Sequence, residues 1–181
     1  MRHPLRWIAL GVAVVVAAFA VVLATQVSDD PRADATKSRL LGRAVPAFSV
    51  RSLDGQVVTD KGVAGKAVIV NFWNSWCPPC RQELPAVKEF YGRHADDPDF
   101  TMVGIVRDDT KSAVRTAVRE DGIKWTVAMD PGADASLAFG TRGQPETFAI
   151  SPGGVIVGAQ IGPSTVHGLE QMLTAAREAS R

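Results

Sequence analysis

One stretch limits what this chain can be: Val68-Ile-Val-Asn-Phe-Trp-Asn-Ser-Trp-Cys-Pro-Pro-Cys80-Arg-Gln-Glu-Leu84, an apolar run leading through a CxxC into a helical pattern. Val68, Ile69, Val70 and Phe72 are β-branched or aromatic and read as a buried strand, while Leu84, Val87 and Tyr91 recur on one helical face. Both cysteines of the protein therefore sit at a strand-to-helix turn. With Cys77 at the helix start, unpaired N–H groups and the positive end of the dipole favour its thiolate and make it the attacking sulfur. Cys80 lies about one turn further on the same side, within the Cα separation a disulfide requires.

Other uses of the pair fit less well. A structural zinc ion needs four ligands, and His3, His94 and His167 stand without ligand spacing around a single CxxC. A structural staple closing so short a loop restrains the unfolded chain by only about 2 kcal/mol. Inert buried thiols do not call for Pro78 and Pro79 between them or Trp76 beside them, which describe a shaped, partly exposed turn. Reversible dithiol chemistry accounts for all of these residues, with Cys77 as nucleophile and Cys80 as resolving thiol.

Trp76-Cys77-Pro78-Pro79-Cys80 after a strand resembles the thioredoxin superfamily. Arg81-Gln82-Glu83-Leu84-Pro85 behind it resembles the membrane-tethered TlpA/ResA and DsbE/CcmG group, which serves cytochrome c maturation, and Gly143-Gln144-Pro145-Glu146-Thr147-Phe148 is similar to that group's GxPETF segment. The resemblance covers roughly residues 44 to 181. It implies an α/β thioredoxin-like fold: a central mixed sheet flanked by helices, with an N-terminal hairpin and an insertion. It further implies a cis Pro145 facing the CxxC, with Gln144 offering its backbone to an extended substrate beside Trp76. No cofactor and no metal are implied. The partners implied are a membrane electron carrier supplying reducing equivalents, and an apocytochrome c, its carrier or another thiol protein as substrate. A general secretory oxidant or isomerase, and a non-catalytic binding module, are the alternatives.

One position departs from many thioredoxins, which carry an aspartate two residues before the tryptophan that is Trp73 here. This chain has Asn71, so the proton of the resolving thiol needs another acceptor. Glu83 and Glu146 are the candidates, because both resemble acidic positions of the group. The plain alternative makes Glu83 an exposed first-turn glutamate and Glu146 a solvated one.

The chain around this centre divides into three: an anchor or uncleaved signal over 1–27, a tether over 28–43 and the redox domain over 44–181. No charge falls between Trp7 and Val27, and the 18 residues from Trp7 to Ala24 span about 27 Å as helix against about 30 Å of hydrocarbon. Arg2 and Arg6 before the run, and Asp29 and Asp30 after it, predict a single-pass cell-membrane protein with a cytoplasmic N-terminus and an extracytoplasmic redox domain. A signal peptide cut after Val22-Leu-Ala24 is the competing reading. Both put the cysteines where disulfides persist. A net charge of +1, without a basic stripe, gives no footprint for nucleic acid.

Further elements follow from local pattern. A hairpin is expected from Phe48–Val50 through Asp54-Gly55 to Val57-Val58, then a strand over 100–106 and a helix over 110–121 stopped by Gly122. Pro85 should kink the CxxC helix. A short strand over 125–129 and a small helix over 133–139 come next. A second hairpin turns at Ser151-Pro-Gly-Gly154, and the last helix covers 164–181 with Val166, Leu169 and Leu173 on one stripe.

Overall fold

The computed structural model describes residues 39–179 and the four helical residues 12, 13, 15 and 16. The expected membrane span and most of the tether lie outside these residues, and among the described residues no helix is long and apolar enough to cross a membrane. Leu40 and Leu41 already pack against the core, and Ala44 bridges Val155, so packed chain begins a little before the expected boundary at 44.

Seven strands form one mixed sheet in the order β2-β1-β5-β4-β3-β6-β7. The strands are β1 (Ser49–Ser52), β2 (Val57–Thr59), β3 (Ala67–Phe72), β4 (Phe100–Val106), β5 (Thr126–Met129), β6 (Glu146–Ile150) and β7 (Ile156–Ile161). β3 runs parallel to β4, and β4 to β5, whereas β6 lies antiparallel to β3. At the centre, β3 is buried at all six positions, Asn71 included, as a strand covered on both faces requires.

Alternation along β3 separates two cores. Ile69 joins the side covered by α1 (Pro78–His94), α2 (Lys111–Asp121) and α4 (Val166–Glu178) through Val87, Phe90, Val114, Leu169 and Leu173. Val68, Val70 and Phe72 face the other side, where α3 (Asp134–Ala138) and the chain before β1 bring in Phe139 and Phe48. Phe72, Phe139 and Phe148 meet there at ring separations of 5.1 to 5.9 Å, distances at which tilted and edge-on pairs add to area burial.

The helix signals act as their chemistry dictates. Thr110 caps α2 by accepting the Ala113 N–H, and Gly122 ends it at φ 65°, a conformation that favours glycine. Thr165 caps α4 in the same way, and the buried stripe of that helix is Leu169, Leu173 and Ala176, with the expected Val166 only half-buried. Pro85 lies inside α1, which continues to His94. Phe72 pairs with Glu146, so the end of β3 lies beside the start of β6, and α1 begins a short turn later.

Candidate active site

Cys77 is the N-cap of α1, and it forms a disulfide with Cys80 at a Cα separation of 5.3 Å. The Cys80 N–H points at the Cys77 sulfur across 3.2 Å. N-cap groups normally draw on the N–H of the second or third helical residue. Here Pro78 and Pro79 occupy the first two helical positions and have no N–H, so the Cys80 amide is left as the donor. The helix start therefore favours the Cys77 thiolate less than the sequence position alone suggests. Cys77 and Cys80 are 3% and 5% exposed, so in the disulfide form burial does not distinguish attacker from resolver, contrary to the partly exposed turn expected.

The loop after β4 holds the turn in place. Asp109 accepts from both the backbone N–H and the hydroxyl of Ser75 at 2.8 Å, and the Trp76 indole donates to the Asp108 carbonyl at 3.1 Å. Trp76 itself is 59% exposed and forms a fixed apolar platform beside the cysteines. The Gln144–Pro145 bond is cis, and the Gln144 carbonyl oxygen lies 3.7 Å from the Cys77 sulfur. Cys77, Trp76, Gln144 and Pro145 thus belong to one region, in which Trp76 is exposed, Gln144 half-buried, and Cys77 and Pro145 buried.

Behind the cysteines, Glu83 is only 3% exposed, in the second turn of α1, and so is neither a first-turn nor an exposed residue. Its carboxylate accepts from the Asn71 amide at 2.9 Å and the Ser164 N–H at 2.7 Å. Asn71 also donates to the Thr147 hydroxyl at 3.0 Å, which ties β3, β6 and the start of α4 to this carboxylate. Burial pushes the Glu83 carboxyl above its usual range, against the downward pull of the Ser164 and Asn71 hydrogen bonds. Glu83 and Cys80 line one small cavity with Asn71, Trp73 and Trp125.

Glu146 is buried too but lies elsewhere. It shares a sheet face with Phe148, opposite the face from which Thr147 meets Asn71. Its Oε1 accepts the N–H groups of Arg142 and Gly143 at 2.6 and 3.0 Å, so it shapes the loop that carries Gln144 and Pro145. The two acids called together in sequence are thus on opposite sides of the sheet. Sequence reading missed Asn71 as a donor, Ser164 and Trp125. Only Asn71 gave a signal, through the aspartate it replaces.

A disulfide at a capped helix start, a cis-proline loop against it and a buried acid behind the second sulfur make up a disulfide-exchange centre. The Redoxin family model matches residues 40–173. The chain belongs to the Redoxin family. Within it, this redoxin falls in the TlpA/ResA and DsbE/CcmG group. It is 33% identical over 133 residues to the thiol-disulfide oxidoreductase ResA of Bacillus thuringiensis strain Al Hakam, covering 74% of this chain and 76% of that protein. It is 35% identical over 138 residues to a DsbE homologue, a thiol:disulfide interchange protein of Paracoccus denitrificans, covering 75% and 73%. Among solved structures it is similar to a thioredoxin-family thiol:disulfide interchange protein from Chlorobium tepidum TLS, with a TM-score of 0.66 and 31% identity over 74% of this chain and 94% of that one. This redoxin is a thiol:disulfide oxidoreductase working through the Cys77–Cys80 pair.

Proposed function

We propose that this redoxin is an extracytoplasmic, membrane-tethered reductant of disulfides in apocytochrome c or its carrier, resupplied by a membrane electron carrier. The observation that carries the redox direction is the buried Glu83 carboxylate sharing a cavity with Cys80. Negative charge there disfavours a neighbouring thiolate, and two prolines withhold N–H groups from the Cys77 sulfur. Strong oxidants stabilise their reduced form, so both features favour the opposite behaviour.

In the reaction, the Cys77 thiolate attacks a substrate disulfide, forms a mixed disulfide and expels one substrate thiolate. Cys80 loses its proton to Glu83 and attacks the Cys77 sulfur, releasing the second substrate thiolate and leaving the disulfide seen in the structure. Two electrons pass from the dithiol to the substrate. The Gln144 backbone, next to the Cys77 sulfur, pairs with the extended substrate, and Trp76 packs against it. Main-chain pairing asks little of substrate side chains and suits the short CxxCH segment of an apocytochrome, the class of target served by the group. The uncharged run from Trp7 to Val27, flanked by Arg6 and Asp29, supports the membrane placement.

Trapping tests the assignment. With resolution blocked in Cys80→Ala, the partner stays attached to Cys77, and mass spectrometry should identify a CxxCH-bearing protein. Capture of unrelated secreted proteins in comparable amounts would instead indicate a general folding role.

A further inference from the structure

The cavity beside Cys80 holds two donors that the mechanism above does not use. Trp73 and Trp125 both line it, are 7% and 6% exposed, and have indole N–H groups without a hydrogen-bond partner among the described residues. The two nitrogens converge. A Cβ placed on Gly104 would sit 2.7 Å from Trp73 Nε1 and 3.1 Å from Trp125 Nε1, so both indole nitrogens pack against the bare glycine of β4 and lie close to each other. A buried N–H without a partner is costly, on the order of 1–3 kcal/mol, and two at one point indicate a shared acceptor.

We infer that Trp73 and Trp125 together hold one buried water in this cavity, and that this water donates to the Cys80 sulfur and the Glu83 carboxylate. The cavity of about 10 Å³ is of the order needed for one molecule, and four polar neighbours are what such a water can use. An indole N–H can only donate, so two of them occupy both lone pairs of the water and direct its two hydrogens toward acceptors. Acceptors lining the cavity include Glu83, each of whose oxygens has a lone pair beyond those taken by Asn71 and Ser164, the Asn71 amide oxygen and the Cys80 sulfur. In the disulfide the sulfur is a weak acceptor; as a thiolate it is a strong one. With its lone pairs occupied, the water solvates the Cys80 thiolate and does not carry the proton to Glu83. Trp73 and Trp125 are thus positioning residues for the resolving step.

Among the described residues, Glu83 is the one ionisable side chain besides Cys80 that lines the cavity. The nearby Arg81 side chain is exposed and reaches Asp121 at 3.4 Å, and Cys77 faces Gln144. The water therefore counteracts the burial and the Glu83 charge that oppose Cys80 ionisation.

This inference rests on Cys80 as the resolving thiol, but its test needs no substrate. In the reduced full chain, held in detergent, alkylation of each cysteine is followed against pH by peptide mass spectrometry. Trp125→Phe, and replacement of Trp125 by benzothienylalanine, which keeps the indole shape without the N–H, should each lower the Cys80 thiolate fraction about tenfold at a given pH. Cys77 should move much less. A Cys80 profile unmoved by the benzothienylalanine replacement would overturn the water site, as would a shift with Trp125→Phe alone, which would trace to packing. A failed apocytochrome trap with a shifted Cys80 profile would leave the water site standing and count against the substrate assignment only.

Discussion

The Asn71 amide donates to the Glu83 carboxylate across 2.9 Å, from the sheet position where many thioredoxins hold an aspartate. The acid is thereby moved from strand to helix, and the strand residue becomes the group that orients it. Asn71 can play this part because its NH₂ supplies two donors, one for Glu83 and one for the Thr147 hydroxyl.

Restoring the aspartate should therefore fail. Asn71→Asp would set two carboxyl groups against each other in a buried site, where both cannot ionise. Stability at pH 8 should drop by about 2–4 kcal/mol and recover in part near pH 5, where one of the pair holds a proton. Urea unfolding at the two pH values checks this, and a loss under 1 kcal/mol at pH 8 would contradict the contact.

The raised Glu83 pKa makes stability depend on pH in a defined sense. A group whose folded value lies above its unfolded one, here near 4.5, stabilises fully below that unfolded value. The contribution is lost as pH rises through the folded value, because the native state binds the extra proton. The unfolding free energy from urea titration should fall above about pH 5, with a slope no steeper than about 1.4 kcal/mol per pH unit. Glu83→Gln should flatten that slope, lower the Cys77 pKa and slow release from the mixed disulfide. Stopped-flow resolution and alkylation against pH, in the same preparation, separate the kinetic from the structural effect.

Pro79 offers a test from the other side of the sulfurs. Pro79→Ala returns an N–H at the second helical position, where N-cap groups find donors. The Cys77 pKa should fall by about half to one unit, and the reduction potential should become less negative by about 10–30 mV. An unchanged Cys77 pKa would show that the missing amide does not reach the sulfur.

How much of this was legible beforehand follows from the range of each signal. β3, the β4 strand over 100–106, both hairpins and the Gly122 stop are set by local periodicity and turn chemistry, and they stand where those signals put them. The burial of Glu83 was not legible, because it depends on Ser164, 81 residues away, and on Thr147 across the sheet. Glu146 looked equivalent to Glu83 in sequence, yet alternation along β6 turns it to the opposite face. Trp125 read as an ordinary strand residue, since nothing local reveals that its indole nitrogen packs beside that of Trp73 against Gly104.

The membrane proposal has a simple check. If Trp7 to Val27 spans the bilayer, alkaline carbonate should leave the full-length chain in the membrane pellet. A soluble chain beginning near Thr25 would favour the cleaved signal instead.

The reduction potential of the Cys77–Cys80 pair, measured against glutathione at pH 7, tests the central claim most directly. A reductant, with a carboxylate behind Cys80 and prolines at the helix start, should lie near the value of about −270 mV known for thioredoxin. A value near the −120 mV or so of a strong oxidant would contradict it.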